Sequence, residues 1–323
     1  MKIIIQIPCY NEEKSLPVTL AELPRTIEGG HVVEWLIIDD GSTDRTVQVA
    51  RQCGVDHVVS HSRNLGLART FKTGLGACLT LGADIIVNTD ADNQYCASYI
   101  PALVKPIIEH EAEMVIGVRP IEYIDDFSRV KKLLQKIGSW AVRRASNTDI
   151  PDAPSGFRAI SRDCAMRLTV FNNYTYTLET IIQAGQKQIP LTWIPVKTNS
   201  KLRESRLVRS LPNYVWRSLV TIIRMFVVYK PFRFFALVAA FFIVLGMVGD
   251  IRFLYYYLSG QGKGHIQSLI LSSTLLGFGC ITFLTALLAD LLSVNRMLLE
   301  EIRYRLLKNE MSAPSAGDPG TKS

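Results

Sequence analysis

Short apolar runs alternate with stretches of helical periodicity along roughly the first 120 residues. This alternation is typical of a parallel sheet with helices packed on its faces. The predicted strands are residues 3–7, 33–38, 57–60, 84–89 and 114–117. The first run is too short for a signal peptide and no small-residue cleavage site follows it, so we expect this domain to stay in the cytosol.

Three of the predicted strands end in polar clusters. The sequence PCYNE follows the first strand at 8–12, DDGS follows the second at 39–42, and DAD follows the fourth at 90–92. Ligands of open α/β sheets sit beyond the carboxyl ends of the strands. We therefore expect the three clusters to line one crevice.

The acidic pair Asp90 and Asp92 suggests a cation site. A carboxylate at a strand end can hold Mg²⁺ or Mn²⁺, which in turn binds a diphosphate. Such an ion would neutralise charge that builds up on a departing nucleotide diphosphate. Acidic pairs are common on protein surfaces, so the pair alone is weak evidence for a cation site. The motifs around it strengthen this interpretation.

Five motifs occur in order: IPCYNEE (7–13), IIDDGSTDRT (37–46), RNLG running on to Gly74, NTDADNQY (88–95) and PDAPSGFRA (151–159). In this order they resemble glycosyltransferase family 2, in particular its polyprenyl-phosphate branch of dolichol-phosphate mannose synthase-like enzymes. The resemblance covers residues 3 to about 209. It implies an α/β nucleotide-sugar domain of the GT-A (Rossmann-like) type, followed by interfacial helices and two transmembrane helices.

The resemblance assigns roles to the motif residues. It places Pro8, Tyr10 and Glu12 in the nucleotide pocket, Ile38 and Asp40 at the base and ribose, Asp90 and Ala91 at the nucleotide sugar, and Asp92 and Gln94 at the metal. An aromatic wall with carboxylates that accept hydrogen bonds suits a nucleoside. With Asp90 from the acidic pair, the predicted metal ligands are Asp92, Gln94 and Asp90, and the cofactor is Mg²⁺ or Mn²⁺.

The resemblance also implies how the phosphates and the reacting centre are handled. Arg119 would bind a phosphate of the donor or of the acceptor, and Asp152 would lie near the reacting centre, so the predicted catalytic residues are Asp92, Asp152 and Arg119. A basic loop with Lys201, Arg203 and Arg206 would close over the diphosphate, since arginine suits bidentate contacts. The loop spacing leaves open whether Lys201 or Arg203 is the phosphate ligand. Other candidate cations are Arg129, Lys131, Lys132 and Arg143.

Several of these residues have structural alternatives. Asp39 is expected to bond the backbone of its own turn, and Asp152 could simply cap the turn that follows it. Tyr10 could be a core aromatic, Glu12 could serve the first turn of a helix, and the basic loop could contact headgroups only. The five histidines show no ligand spacing, and the six cysteines show no disulfide or zinc pattern.

The carboxy-terminal third contains two apolar segments. Residues 234–258 are interrupted only by Asp250 and Arg252, and residues 266–289 carry no charge. Each can span a bilayer, although the first could also be tilted or re-entrant. Residues 211–229 read as interfacial helices. Basic flanks place both termini in the cytosol by the positive-inside rule.

The distribution of charge also supports a membrane location. Of a net charge of +7, residues 197–233 contribute nine Lys/Arg against Glu204 alone. A basic belt beside an apolar region fits anionic headgroups or phosphorylated ligands, and no aromatic-interleaved basic stripe indicates nucleic acid. The predicted organisation is a catalytic domain (1–209), juxtamembrane helices (210–231), a transmembrane hairpin (232–292) and a cytosolic tail (293–323) whose end is disordered. Gly277 and Gly279 permit helix association and a homo-oligomer.

The resemblance implies transfer of a hexose from a nucleotide diphosphate sugar to a polyprenyl phosphate, dolichyl or undecaprenyl, at the cytosolic membrane face. No Ser/His/Asp nucleophilic arrangement appears in the sequence, so we expect a single in-line displacement with inversion at the anomeric carbon. A phosphate nucleophile is already anionic and needs no general base. Two alternatives stay open: transfer to a glycolipid or glycan hydroxyl with Asp152 as base, and a non-catalytic sugar-nucleotide-binding scaffold. GDP-mannose, UDP-glucose and UDP-GlcNAc are all compatible donors.

Overall fold

A computed structural model describes residues 1–119, 129–171, 175–199, 211–260 and 262–312 of the chain. The strands are β1 (Lys2–Cys9), β2 (Thr26–Ile27), β3 (His31–Asp39), β4 (His57–Ser60), β5 (Ile85–Asn88), β6 (Met114–Val118), β7 (Arg158–Ser161) and β8 (Leu191–Pro195). The helices are α1 (Leu16–Glu22), α2 (Thr46–Gln52), α3 (Leu67–Thr80), α4 (Ile100–Ile108), α5 (Arg129–Ser146), α6 (Arg162–Arg167), α7 (Thr177–Gln186), α8 (Leu211–Tyr229), α9 (Pro231–Leu258) and α10 (Ile266–Ser312).

The strands of the described residues form one eight-stranded sheet in the order β2-β3-β1-β5-β7-β6-β8, with β4 paired to β3. β1 lies parallel to β3 and β5, and β3 lies parallel to β4. β7 runs antiparallel to both of its neighbours, β5 and β6, so the sheet is mixed. The expected α/β class and the five predicted strands are confirmed, while β2, β7 and β8 were not predicted.

The centre of the sheet explains the continuous apolar runs. Ile3, Ile4 and Ile5 of β1 are all fully buried, so both faces of this strand are covered. α3 packs against β1 and β3, whereas α4 packs against β6 and β7. A strand covered on both faces has no solvent side that would require alternating polar residues.

The two apolar segments form the long helices α9 and α10, each long and apolar enough to cross a membrane. α9 is one continuous helix, whereas a re-entrant segment would need a break. α10 extends well beyond the predicted span and reaches Ser312, so the predicted tail begins as helix. Arg296 and Glu300, one turn apart on α10, form an ion pair at 3.8 Å.

Small residues allow α9 and α10 to approach closely. A Cβ on Gly246 would lie 2.9 Å from the Ser272 carbonyl oxygen, and one on Gly279 would lie 2.5 Å from Ile243. The hydroxyl of Ser272 also donates to Asp250, which gives this carboxylate a partner within the hairpin. Gly279 therefore serves the contact between α9 and α10 within one chain. An added Cβ on Gly277, by contrast, would meet no described atom within 4 Å.

The chain divides into two compact units. The first comprises residues 1–222 and 303–323, and the second comprises residues 223–302. In the first unit, the end of α10 packs against α6: Tyr304 donates to Asp163, and Arg303 donates to the Leu168 carbonyl at 3.3 Å. Both ends of the second unit therefore lead into the first.

Gly185 of α7 provides a test of the packing between α5 and α7. A Cβ at this position would lie 2.0 Å from the backbone carbonyl oxygen of Ser146, which cannot rotate away. We expect Gly185→Ala to destabilise the protein by about 2 kcal/mol. Gly76 of α3 meets no described atom within 4 Å, so Gly76→Ala should instead stabilise by about 0.5–1 kcal/mol. Thermal unfolding of the purified variants measures both, and equal shifts would contradict this packing.

Candidate active site

The three polar clusters meet at one edge of the sheet, as expected. Cys9 is paired with Asp39 across β1 and β3, and Gln6 is paired with Asn88 across β1 and β5. The residues that follow these strands therefore emerge side by side. β7 is antiparallel, so the segment that precedes it, which contains Gly156, lies at the same edge.

The turn after β1 is tied to the turn after β3. Asn11 adopts a left-handed conformation (φ 55°), its N–H donates to Ser42 Oγ at 2.9 Å, and its Oδ1 accepts from the Thr43 N–H at 2.8 Å. Glu12 is buried and its carboxylate accepts from the Ser15 hydroxyl. Tyr10 is 38% exposed, so it lies at the rim of the crevice rather than in the core.

Asp40 anchors a second loop. Its carboxylate accepts hydrogen bonds from the backbone N–H groups of Leu65 and Gly66, both at 2.9 Å, and lies 2.8 Å from His61 Nδ1. Because a carboxylate accepts and does not donate, His61 Nδ1 carries the proton, and its Nε2 lies 3.0 Å from the Thr73 hydroxyl. A Cβ on Gly41 would lie 2.6 Å from the Arg63 backbone, so only glycine permits this approach of the two loops.

The neighbours of Asp40 differ in how they can serve a nucleoside. Asp39 accepts from the Ser42 N–H at 3.1 Å, which confirms the expected bond to the backbone of its own turn. Ile38 is fully buried, and its Cδ1 would lie 2.8 Å from a Cβ on Gly74. Any contact of Ile38 with a base would therefore be through its backbone, and the nucleoside roles of Ile38 and Asp40 stay predictions.

The acidic loop after β5 is held in place by a hydrogen bond within the loop and by two hydrogen bonds to helix α1. Asp92 accepts from the Gln94 N–H at 3.2 Å, and the Ala91 carbonyl accepts from the Thr19 hydroxyl at 2.9 Å. Asn93 is left-handed (φ 55°) and its amide donates to Glu22 at 2.9 Å. These bonds fix the direction in which the half-exposed Asp92 leaves the sheet edge.

The composition of this loop fits a hard divalent cation. Asp90, Asp92 and Gln94 offer two carboxylates and an amide oxygen, the ligand type that Mg²⁺ prefers. Among the described residues, no three His, Cys, Asp or Glu side chains are grouped so that they could hold a metal ion. An ion bound here would therefore complete its coordination with water and with phosphate oxygens, as Mg²⁺ does in phosphate-binding sites.

Arg119 and Asp152 form a buried ion pair. Arg119 Nε donates to Asp152 Oδ2 at 2.7 Å, and Nη2 donates to Oδ1 at 3.0 Å. The side chains are only 9% and 0% exposed. Asp152 therefore orients the guanidinium. The structure brings two of the predicted catalytic residues together, and their catalytic roles stay predictions.

Neutral donors form the floor of the crevice. The Gly156 carbonyl accepts from Asn88 Nδ2 at 2.9 Å, and the Gly156 N–H donates to the Tyr95 hydroxyl at 3.0 Å. Asn88 also donates to the Tyr176 hydroxyl at 2.8 Å. Burial raises the pKa of the Tyr95 and Tyr176 phenols above the ordinary value, so both stay protonated.

Other predicted residues are not brought together by the described structure. Lys201, Arg203 and Arg206 lie outside the described residues. Arg129, Lys131 and Lys132 belong to α5, but their side chains are outside the described part of the chain. Arg143 is half-buried near the other end of α5. Their roles stay predictions.

The sequence reasoning missed several residues of the site. His61 and Tyr176 lie outside the five motifs, and tertiary contacts alone bring them to the crevice. Tyr95 ends the NTDADNQY motif, but the sequence analysis gave it no role. Two polar residues did carry a signal: Gln6 and Asn88 each interrupt an apolar strand, and their side chains bond each other at 2.9 Å. A buried polar side chain needs a partner, so an amide in such a strand indicates a network.

Removing one partner of the buried pair should be costly. We expect Asp152→Asn to destabilise the protein by about 3 kcal/mol, because the Arg119 guanidinium then lacks its countercharge. Glu109→Gln is the control, since the exposed pair of Glu109 with Lys105 (3.7 Å) is worth at most about 0.5 kcal/mol. Thermal unfolding measures both variants. A stability loss for Asp152→Asn no larger than that of Glu109→Gln would show that the pair does not hold this part of the fold.

Comparison with known proteins identifies the family. The Glycosyl transferase family 2 model matches residues 4–169. The UDP-N-acetylglucosamine–dolichyl-phosphate N-acetylglucosaminyltransferase of Methanococcus voltae is 27% identical over 219 residues, 61% of this chain and 85% of that protein. The undecaprenyl-phosphate mannosyltransferase of Micrococcus luteus is 29% identical over 169 residues, 50% of this chain and 68% of that protein.

Solved structures agree on the fold. The glucosyl-3-phosphoglycerate synthase of Mycobacterium tuberculosis, crystallised with Mn²⁺, UDP-glucose and phosphoglyceric acid, superposes with a TM-score of 0.57 at 21% identity, covering 70% of this chain and 79% of that one. The same enzyme has also been crystallised with Mg²⁺ and UDP. The chain belongs to glycosyl transferase family 2 and is a glycosyltransferase with a GT-A fold.

Proposed function

We propose that this protein transfers a hexose from a nucleotide diphosphate sugar to a polyprenyl phosphate, with inversion at the anomeric carbon, at the cytosolic face of a membrane. The relatives from Methanococcus voltae and Micrococcus luteus are named for dolichyl-phosphate and undecaprenyl-phosphate acceptors. A dolichol-phosphate mannosyltransferase of Pyrococcus furiosus is 28% identical over 174 residues, half of this chain and 47% of that protein. These names support a lipid phosphate acceptor.

The Arg119–Asp152 pair is the observation that carries the proposal. Asp152 is the candidate general base for a hydroxyl acceptor, but both of its oxygens accept from the Arg119 guanidinium and it is fully buried. A base must reach the proton that it removes. A phosphate acceptor needs no base, only a cationic group to position it, and Arg119 supplies that group at the same place.

The donor side of the proposal rests on the acidic loop. Asp92, Gln94 and Asp90 would hold Mg²⁺ or Mn²⁺, and the bound ion would neutralise the charge of the departing diphosphate. Tyr10 lies at the rim, where its ring can face a nucleobase. Asp40 holds the backbone of the loop that contains Leu65 and Gly66 next to the end of β3.

The membrane side rests on the helices of the second unit. α9 and α10 expose large apolar side chains along most of their length, including Leu237, Phe241 and Leu288. An exposed apolar surface of this extent needs a lipid environment or a partner. Because both ends of this unit lead into the catalytic unit, we propose that the catalytic domain and both termini lie on one side of the membrane. The basic residues between 197 and 233 support the cytosol as that side.

The acceptor class provides the first test. With purified full-length protein and Mg²⁺ or Mn²⁺, we expect transfer to dolichyl or undecaprenyl phosphate at least about a hundredfold faster than to the matching polyprenol, because the alcohol lacks a base to remove its proton. The product should be β-linked when the donor is α-linked, as NMR of the anomeric proton can measure. Faster transfer to an alcohol or glycolipid hydroxyl would favour the hydroxyl-acceptor reaction, and nucleotide binding without transfer to any acceptor would favour a scaffold.

The metal provides the second test. We expect Asp92→Asn to lower kcat by on the order of a thousandfold, since a bound ion supplies several kcal/mol of charge stabilisation in the transition state. Chelation of divalent ions should reduce the wild-type rate similarly. Glu111→Gln, an exposed acid near the opposite edge of the sheet, is the control and should keep full activity. Unchanged turnover by Asp92→Asn, or full activity in chelator, would remove the cation from the proposal.

A further inference from the structure

Arg158, the first residue of β7, is a fully buried arginine beneath the site. Its Nη1 donates to the Thr180 hydroxyl at 2.6 Å and to the Thr177 carbonyl at 3.5 Å, both on α7, and its Nη2 donates to the Ser155 carbonyl oxygen. Its Nε has no hydrogen-bond partner among the described residues. The guanidinium lies 5.3 Å from the centre of the Tyr176 ring, which is itself stacked on Phe71.

This arrangement is unfavourable for stability. The hydrogen bonds of this guanidinium to described residues all go to uncharged oxygens, and burial lowers the pKa of Arg158 below its ordinary value. An apolar side chain of similar volume often serves a buried position as well as, or better than, a charged one. Local arrangements that reduce stability are expected at functional sites.

The contacts of Arg158 lead directly to the reacting groups. The Ser155 carbonyl that it holds belongs to the peptide of Gly156, whose own N–H and carbonyl are bonded by Tyr95 and Asn88. A Cβ on Gly156 would lie 3.2 and 3.3 Å from the two carboxylate oxygens of Asp90, so this peptide packs against Asp90. The same turn contains Asp152, whose carbonyl accepts from the Ser155 N–H at 3.3 Å.

The other hydrogen bonds that hold this turn involve different atoms from the one that Arg158 contacts. Tyr95 and Asn88 hold Gly156, and the Ser155 hydroxyl donates to the Gly117 carbonyl at 2.6 Å. Arg158 holds the Ser155 carbonyl and connects it to Thr180 and Thr177 of α7. Its removal would release the Ser155–Gly156 peptide on the side that faces away from the crevice.

We infer that Arg158 is a positioning residue of the transfer reaction: from beneath the site it fixes the Ser155–Gly156 peptide, and this peptide sets the spacing between Asp90 on the donor side and the Asp152–Arg119 pair on the acceptor side. The inference rests on the proposed function for its kinetic consequence. Its structural consequence, an ordered 152–157 turn, does not depend on the identity of the substrates.

Arg158→Met and Arg158→Lys in the full-length protein test this role. We expect Arg158→Met to keep its unfolding temperature within about 5 °C of wild type and to lower kcat by about ten- to a hundredfold, with the KM for the nucleotide sugar within about threefold. Arg158→Lys keeps the charge and can reach one of the acceptors, so its kcat should lie between those of Arg158→Met and the wild type. Hydrogen exchange of the 152–157 amides should become on the order of tenfold faster in Arg158→Met.

Gln183→Met is the matched control. Gln183 is also fully buried on α7, but it bonds the Thr169 backbone and not the 155–156 peptide. We expect it to lose stability while the 152–157 amides exchange as in wild type and kcat stays within about threefold. If α7 were loosened in general, Gln183→Met and Arg158→Met would show the same faster exchange of the 152–157 amides and the same loss of kcat. That result would overturn the positioning role.

Thr180→Val keeps the test decisive if Arg158→Met does not fold. It removes the shorter of the two α7 hydrogen bonds of the guanidinium and leaves the longer one to the Thr177 carbonyl, without changing the size of the side chain. It should speed exchange of the 152–157 amides and lower kcat by about threefold to tenfold. Unchanged exchange in Thr180→Val and in every folded Arg158 variant overturns the inference. A wild-type protein that transfers sugar to no lipid phosphate defeats the proposed function instead, and the exchange measurement still decides the role of Arg158.

Discussion

The active site depends on the neutralisation of acidic side chains that the sheet brings to one edge. Asp39 and Asp40 are compensated by backbone N–H groups and Asp152 by a guanidinium, in each case at short distance. Asp90 and Asp92 are the half-exposed members of the set. A divalent ion with its diphosphate is the charge that this part of the edge is suited to receive, since carboxylates gathered in one place favour a cation.

The groups between these charges are neutral and already in place. Asn88, Tyr95 and Tyr176 bond one another or the Gly156 peptide, and burial keeps both phenols protonated. Donors that are fixed before the reaction need not reorganise when charge moves from the sugar to the leaving group. The neutral groups of the floor thus keep the geometry of the site fixed, and the half-exposed acidic loop is the part where ligands bind and leave.

Much of the fold could be predicted because central parallel strands read as continuous apolar runs. β7 and β8 escaped this rule: β7 begins with the charged Arg158, and β8 is only half-buried. The apolar pattern predicted that α10 ends near Asp290. The helix continues beyond this residue, and two of its later charged residues, Arg296 and Glu300, form an ion pair one turn apart. In the site, the motifs predicted the residues of the strand ends, but not partners such as His61 and Tyr176, which arrive from distant segments through packing alone.

The pairing of Asp152 with Arg119 changes what kind of acceptor the crevice tolerates. An uncompensated carboxylate beside the anomeric carbon would repel a phosphate nucleophile, and in a buried site this repulsion would be stronger than in water. With its charge balanced by Arg119, Asp152 no longer opposes the approach of an anion, and its two hydrogen bonds fix the orientation of the guanidinium. A carboxylate kept for general-base work would require the reverse, a proton-accepting oxygen turned towards the acceptor. The pair therefore favours an acceptor that arrives already ionised, which a lipid phosphate does at the surface of a bilayer.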